Sequence, residues 1–202
     1  MKDFGFYLVI TNPVVGYARC AEAAVRAGVR IVQLRMKHAA REDILREARE
    51  MRRVTRGTDT LFIVNDDPAL AAEAEADGVH VGQDDMSPSE VRANFPQLKV
   101  VGLSTHNLDQ VRASWDQPID YIGVGPVYAT PTKDIPDPTL GPEMAGRMIA
   151  AARVPAVAIG GINAETLPPV LAAGARNFAV VRAVCQSQDP YSAICKLLEI
   201  HA

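Results

Sequence analysis

Eight short apolar runs recur along the chain, and each is followed by a stretch with helical periodicity. The runs span 6–11, 30–36, 61–66, 78–83, 99–104, 120–127, 155–161 and 177–183. Most are continuously apolar, which is typical of parallel strands buried on both faces. The segments between them carry apolar residues on one face, as where Ile44, Ala48 and Met51 recur at i, i+4 and i+7. This α/β pattern predicts a single-domain (β/α)₈ TIM barrel over residues 1–202.

An open doubly wound sheet is the alternative fold for the same alternation. Dinucleotide-binding sheets of that kind carry a Gly-rich fingerprint after the first strand. The chain has ITNPVVG at residues 10–16 instead. Dinucleotide binding is therefore disfavoured, and the count of eight strand–helix units favours the closed barrel.

Turn residues mark the element boundaries. Gly28, Gly78 and Gly174 precede strands, where we expect left-handed backbone with positive φ. Asp67 and Asp189 each stand before a proline, a pattern typical of a helix N-cap followed by Pro at the first helical position.

Charge and the N-terminal residues limit the class of protein. Lys plus Arg is 21 and Asp plus Glu is 24, which gives a formal net charge of −3 and no basic footprint for nucleic acid. The apolar run near the start is too short for a signal peptide or a membrane span. The three cysteines lack metal-ligand spacing. We expect a cytoplasmic protein with small-molecule partners, no nucleic acid and no membrane, and homo-oligomerisation stays open.

Polar residues concentrate after the strands, where a barrel of this type places its active site. Arg35 and Lys37 are two residues apart, so on a strand they share a face. Together with Lys133 they predict a cationic rim suited to phosphate oxygens. The alternative is that these three residues are solvated at the rim and bind no phosphate.

Two acidic pairs follow neighbouring strands. Carboxylates beside cations and Asn65 indicate a Mg²⁺-diphosphate site, because Mg²⁺ takes one or two carboxylates together with phosphate oxygens. Within the pairs we favour Asp66 and Asp85 as ligands, since Asp67 fits a helix cap and Asp84 a solvated neighbour.

A second anion site is predicted after the last two strands. AIGGIN at 158–163 contains two glycines that let backbone amides approach a phosphate, and barrels of this type often bind phosphate there. The alternative is that the two glycines only form a tight turn and bind no phosphate. We expect His80 and His106 to be hydrogen-bonded structural residues rather than catalytic ones.

Six ordered motifs resemble the thiamine-phosphate synthase family over nearly the whole chain. They are VQLRMK (32–37), VND (64–66), ADGVHVGQDD (76–85), GLSTH (102–106), DYIGVGPVYATPTK (120–133) and AIGGI (158–162). The resemblance implies a transferase that joins hydroxymethylpyrimidine diphosphate to hydroxyethylthiazole phosphate, releasing diphosphate and giving thiamine phosphate. It implies that Mg²⁺ assists the departure of diphosphate.

The resemblance also implies roles for individual residues. Catalytic roles fall on Lys133, Arg35, Lys37 and Ser104. Pyrimidine-diphosphate binding falls on Gln33, Arg35, Lys37, Asn65, Ser104 and Lys133, and Mg²⁺ binding on Asp66 and Asp85. Thiazole-phosphate binding falls on Thr130, Thr132, Gly161, Val181 and Arg182. Arg182 departs from the family pattern, which commonly has Ser there. Residues 134–140 fit either a rigid rim or a lid.

Two other functions compete with the synthase. A related thiazole tautomerase would share the barrel, work without Mg²⁺ and use His106 as acid or base, but the set of cations and carboxylates argues against it. A non-catalytic protein that binds thiamine phosphate or another anion is the second alternative, and only Arg182 supports it.

Overall fold

Eight parallel strands close into a barrel in the order in which they occur along the chain. The structure is a computed structural model and describes residues 3–130 and 138–201. Each strand pairs with its sequence neighbours, and the first strand also pairs with the last. The predicted single-domain TIM barrel is therefore confirmed, and the open sheet is excluded.

The strands alternate with helices throughout the described residues. The strands are β1 (Phe6–Ile10), β2 (Ile31–Leu34), β3 (Leu61–Asn65), β4 (Gly78–Val81), β5 (Val100–Thr105), β6 (Tyr121–Val124), β7 (Ala156–Ile159) and β8 (Asn177–Val180). The helices are α1 (Tyr17–Arg26), α2 (Arg41–Thr55), α3 (Pro68–Glu73), α4 (Pro88–Asn94), α5 (Leu108–Ala113), α6 (Gly141–Ala151), α7 (Leu167–Ala172), α8 (Arg182–Cys185) and α9 (Pro190–His201), with a 3₁₀ turn at Ser114–Asp116. None of the helices described is both long and apolar enough to cross a membrane.

Two apolar layers explain why the runs are continuously apolar. Outward-facing strand residues such as Leu8 and Phe62 pack against the helices. Inward-facing residues such as Ile31, Ile63 and Val157 form a second cluster within the barrel. Successive side chains point to opposite faces of a strand, and both faces are buried, so most positions of a run are apolar.

Side-chain caps set where several helices begin. Asp67 accepts a hydrogen bond from the backbone N–H of Leu70 (2.8 Å) at the start of α3, and Asp189 accepts one from Ser192 (3.1 Å) at the start of α9. Both predicted caps are confirmed. Ser87 and Glu90 form a reciprocal capping box at α4, which supports its seven residues against fraying.

Some details differ from the sequence-based expectations. Gly28 and Gly174 have φ of 74° and 100°, but Gly78 is not in the positive-φ region. A Cβ at Gly78 would lie 2.0 Å from the Val100 carbonyl oxygen, so close strand approach requires this glycine. The sixth apolar run was predicted to reach residue 127, whereas β6 ends at Val124, and the Gly125–Pro126 bond that follows is cis.

Candidate active site

A cavity of about 960 Å³ opens at the carboxyl end of the strands. Every predicted site residue that the structure describes lines it, namely Gln33, Arg35, Lys37, Asn65, Asp66, Asp85, Ser104, Thr130, Gly161, Val181 and Arg182. Thr132 and Lys133 lie outside the described residues. The barrel thus gathers residues from strands β2 to β8 into one chamber.

The cationic side of the cavity follows β2. The strand ends at Leu34, so the predicted alternation along a strand is wrong for Arg35 and Lys37, which lie in the loop beyond it. The Arg35 backbone N–H donates to the Ile10 carbonyl (3.0 Å), which keeps the loop beside β1. The Lys37 ammonium forms an ion pair with the Asp66 carboxylate. Both cationic residues nevertheless line the cavity.

Asp66 and Asp85 bring two carboxyl groups together beside Lys37. Asp66 has φ of 64°, and its N–H donates to the His80 carbonyl (2.8 Å). The Asp85 carboxylate accepts from the Gly82 N–H (2.7 Å), which folds the loop after β4. Burial raises the pKa of the Asp85 carboxyl, and the adjacent Asp66 charge and hydrogen bond raise it further.

This carboxylate pair offers hard oxygen ligands to a cation. Asp67 is occupied as the cap of α3, whereas Asp84 is exposed and lines the cavity, as Asp85 does. Among residues 3–130 and 138–201, no group of three or more His, Cys, Asp or Glu side chains is arranged for a metal ion. Mg²⁺ in phosphate-handling sites commonly uses one or two carboxylates with waters and phosphate oxygens, and the pair suits that pattern.

A chain of hydrogen bonds crosses the floor of the cavity. Gln33 Nε2 donates to Tyr7 OH (2.6 Å), and Tyr7 OH lies 2.9 Å from Tyr121 OH. His80 Nδ1 lies 3.0 Å from Tyr121 OH, and His80 Nε2 lies 2.9 Å from Ser104 Oγ. We call Gln33, Tyr7, Tyr121, His80 and Ser104 the polar series.

The two tyrosines of the polar series were missed by the sequence analysis. They are 2% and 0% exposed, and they sit in apolar runs where aromatic residues look like ordinary core. The available signal was chemical, because a buried phenol needs a hydrogen-bond partner. His80 is a hydrogen-bonded interior residue, as expected.

The opposite side of the cavity is built from the loops after β6, β7 and β8. Gly160 and Gly161 have φ of 105° and 65°. A Cβ at Gly160 would lie 2.6 Å from Pro126, so the two loops touch at a point where only glycine fits. Backbone N–H groups of Val127 and Tyr128 donate to the carbonyls of Ile159 (2.8 Å) and Gly160 (3.0 Å).

The short helix α8 begins at the cavity wall. Its first residue, Arg182, is exposed and lines the cavity, as do Val181 and Ala183. A glycine turn after β7 and a short helix after β8 are the parts from which barrels of this type build phosphate sites.

His106 lies at the cavity edge with its ring tied to the backbone. Its Nδ1 lies 2.7 Å from the Gly125 carbonyl oxygen, which only accepts, so Nδ1 carries the proton. Its backbone N–H donates to Gln110 Oε1 (2.6 Å). This arrangement matches the expected structural histidine.

Comparisons with known proteins identify relatives of the chain. The family model described as thiamine monophosphate synthase matches residues 6–184. The thiamine-phosphate synthase of Archaeoglobus fulgidus is 36% identical over 202 residues, covering 99% of the chain and 95% of that protein. The thiamine-phosphate synthase of Synechococcus sp. (strain WH7803) is 45% identical over 179 residues, covering 89% of the chain. The chain spans about half the length of that relative and of three other cyanobacterial ones.

Solved structures show the same likeness. The thiamine phosphate pyrophosphorylase from Pyrococcus furiosus superimposes with a TM-score of 0.88 at 28% identity, covering 98% of this chain and 96% of that one. A 3-hexulose-6-phosphate synthase, 20% identical with a TM-score of 0.70 over 96% of this chain and 99% of its own, shares the fold alone.

Proposed function

The chain belongs to the thiamine monophosphate synthase family, and we propose that it is a thiamine-phosphate synthase. It joins hydroxymethylpyrimidine diphosphate to hydroxyethylthiazole phosphate, giving thiamine phosphate and diphosphate. One observation carries this proposal: a single cavity has cations and carboxylates on one side and a glycine turn with a helix start on the other. Two phosphorylated substrates with different charge patterns fit two such ends.

The diphosphate binds on the side of β2 to β4. Arg35 offers a fork of N–H donors to phosphate oxygens, and Lys37 supplies a point charge. Asn65, the last residue of β3, donates its amide N–H group. Lys133 is assigned to the same diphosphate by resemblance to the family and lies outside the described residues.

Asp66 and Asp85 hold Mg²⁺ in this proposal. Support comes from the two carboxyl groups facing each other, an arrangement whose charge repulsion a divalent cation relieves. When bound, Mg²⁺ neutralises part of the charge that develops on the departing diphosphate. Lys37, which contacts Asp66, lies where it can serve both carboxylate and diphosphate.

The thiazole phosphate binds on the side of β7 and β8. Backbone amides around Gly161 and at the start of α8 approach its oxygens. Thr130 and Arg182 line the same cavity and add a hydroxyl and a guanidinium. Thr132 is assigned here by resemblance and lies outside the described residues.

The reaction needs no nucleophile or base from the protein. The bond between the pyrimidine methylene carbon and the diphosphate oxygen breaks, and its electron pair leaves on the diphosphate. The thiazole nitrogen lone pair then forms the new C–N bond. Arg35 and Lys37 stabilise the leaving group where its charge grows, and the Ser104 hydroxyl and the Gln33 amide orient the pyrimidine.

Diphosphate release tests the proposal. We expect release when the purified protein meets both substrates with Mg²⁺, and none when either substrate or Mg²⁺ is left out. Asp66→Ala and Lys133→Ala should lose turnover while keeping the wild-type unfolding temperature. Asp59→Ala is the matched control, since the Asp59 side chain is 93% exposed and lies outside the cavity lining. It should keep activity.

Three outcomes would count against the proposal. Absence of release under every condition rejects the synthase. Calorimetric binding of thiamine phosphate without release favours the non-catalytic alternative. Full activity in both Asp66→Ala and Lys133→Ala rejects the assigned roles.

A further inference from the structure

A hydroxyl group lies beside the glycine turn that follows β7. The Thr166 side chain donates a hydrogen bond to the Gly161 carbonyl oxygen (2.9 Å), and its Oγ1 accepts one from the Asn163 backbone N–H (2.9 Å). A carbonyl oxygen only accepts and a backbone N–H only donates, so the direction of both bonds is fixed. Thr166 itself lies outside the cavity lining, whereas Gly161 and Asn163 belong to it.

The bonds between Thr166 and Asn163 are those of an ordinary helix start. The Asn163 side-chain oxygen accepts from the backbone N–H groups of Glu165 (2.8 Å) and Thr166 (3.1 Å), and its backbone carbonyl accepts from Leu167 (2.9 Å). These bonds satisfy N–H groups at the beginning of α7, which have no partner within the helix. The bond to Gly161 is different, because it reaches back from the helix start into the glycine turn.

The Gly161 carbonyl belongs to the same peptide unit as the Ile162 N–H. A peptide unit is planar and almost always trans, so its C=O and N–H groups point in opposite directions. Holding the carbonyl therefore sets the direction of the N–H. Within residues 3–130 and 138–201, the Ile162 N–H donates to no backbone carbonyl. Ile162 lines the cavity, so this N–H is a donor that a ligand can use.

The loop after β6 also holds Thr166. Tyr128 OH donates to the Thr166 backbone carbonyl (3.1 Å), and the Tyr128 backbone N–H donates to the Gly160 carbonyl (3.0 Å). A Cβ at Gly161 would lie 2.7 Å from Tyr128 Cβ and 2.9 Å from the Ala129 carbonyl oxygen, so the two loops are in close contact. The Thr166 backbone is thus fixed on both sides of its hydroxyl contact with Gly161.

We propose that Thr166 is a positioning residue for the anion site, and that its hydroxyl holds the Gly161–Ile162 peptide so that the Ile162 N–H donates to a phosphate oxygen. This inference rests on the proposed function, which places the thiazole phosphate at this turn. The hydroxyl also polarises the Gly161 carbonyl and so makes the Ile162 N–H a stronger donor. Without it, the peptide rotates more freely, because glycine allows a wide range of backbone angles, and the carbonyl is no longer held away from the anion.

Inorganic phosphate gives a test that needs no reaction. The full chain is titrated with inorganic phosphate, and the Ile162 amide is followed by ¹H–¹⁵N NMR. We expect a downfield ¹H shift of this amide in the wild type and in Thr166→Ser, which keeps the hydroxyl. Thr166→Val has nearly the same shape but lacks the hydroxyl, and its phosphate affinity should fall about tenfold, the scale of one charge-assisted hydrogen bond.

Kinetics with the two proposed substrates give the second test. Thr166→Val should raise the KM for the thiazole phosphate about tenfold. Its kcat and its KM for the pyrimidine diphosphate should stay at the wild-type values, because only binding at the glycine turn is weakened. Thr166→Ser should restore the wild-type KM. Thr166→Ala serves if Thr166→Val fails to fold.

Thr58→Val is the matched control. The Thr58 hydroxyl donates to the Thr55 carbonyl (2.8 Å) and accepts from the Thr60 N–H (3.2 Å), so it makes the same pair of bonds as Thr166. Thr58 lies outside the cavity lining, and none of its partners belongs to it. Phosphate affinity and both KM values should therefore equal those of the wild type.

Three results would overturn the inference. They are wild-type phosphate affinity in Thr166→Val, an equal loss of affinity in Thr166→Ser, and an Ile162 amide that does not respond to phosphate in the wild type. Failure of the synthase proposal alone would show as absent diphosphate release with the phosphate titrations as expected. Failure of this inference alone would show as normal diphosphate release, with Thr166→Val equal to the wild type in phosphate affinity and KM.

Discussion

Replacing Gly102 by alanine should disrupt the cavity floor from within the barrel. Gly102 lies in β5, and its missing side chain leaves the space that Tyr121 and His80 occupy. A Cβ there would lie 2.2 Å from Tyr121 Cζ, 2.4 Å from Tyr121 OH and 2.5 Å from His80 Nδ1. These separations are far inside van der Waals contact, so the tyrosine, the histidine or both must move.

The size of the effect follows from the packing. Inserting a methyl group into a filled core costs about 1–3 kcal/mol. At about 2–4 °C per kcal/mol for a chain of this length, a central cost of about 2 kcal/mol lowers Tm by about 4–8 °C. Gly123→Ala is the matched control on the next strand, because its Cβ would lie 3.4 Å from the nearest His80 atom and make an ordinary contact.

Thermal unfolding and kinetics together check this prediction. We expect Gly102→Ala to lose several degrees of Tm and to raise the KM for the proposed pyrimidine substrate, because the displaced His80 no longer holds Ser104. Gly123→Ala should keep a Tm close to the wild type. Equal Tm values for the two variants would refute the steric reasoning.

Two further changes test other parts of the molecule. Arg182→Ser should raise the KM for the proposed thiazole phosphate substrate about tenfold, since a charge-assisted hydrogen bond is lost. The KM for the proposed pyrimidine substrate and the Tm should stay unchanged. An unaltered thiazole KM would mean that backbone amides alone hold the phosphate. Ser87→Ala should remove the capping box of α4, which costs about 1 kcal/mol of stability and lowers Tm by about 2–4 °C. Activity should be retained, because Ser87 lies outside the cavity lining. A Tm equal to that of the wild type would show that the cap contributes nothing.

The barrel was predictable from local patterns. Burial on both faces makes each strand an apolar run, and the helices between them keep one polar face. Caps such as Asp67 and Asp189 were also predictable, because an N-cap acts within three residues of its own position. Ends of strands were less predictable: β6 stops at Val124 although apolar residues continue to Val127, since apolar character does not by itself define where pairing ends.

The residues that line the site were largely predictable, but the hydrogen bonds between them were not. Polar residues after strands fall in one cavity because all eight strands point the same way. The Tyr7–Tyr121 contact joins positions 114 residues apart, and it depends on the register of strands around a closed barrel. Gly78 shows the same limit, since its role depends on Val100 of the neighbouring strand rather than on its own turn.

The hydrogen bonds from Val127 to Ile159 and from Tyr128 to Gly160 have a consequence for redesign of this barrel. They join the segments that follow β6 and end β7 into one piece, and the backbones approach so closely at Gly125 and Gly160 that a Cβ at either position would clash with the other segment. A loop taken from a relative and inserted after only one of these strands would therefore lack the matching loop to which it hydrogen-bonds. The two loops should be exchanged together, as one cassette, when the substrate range is to be altered.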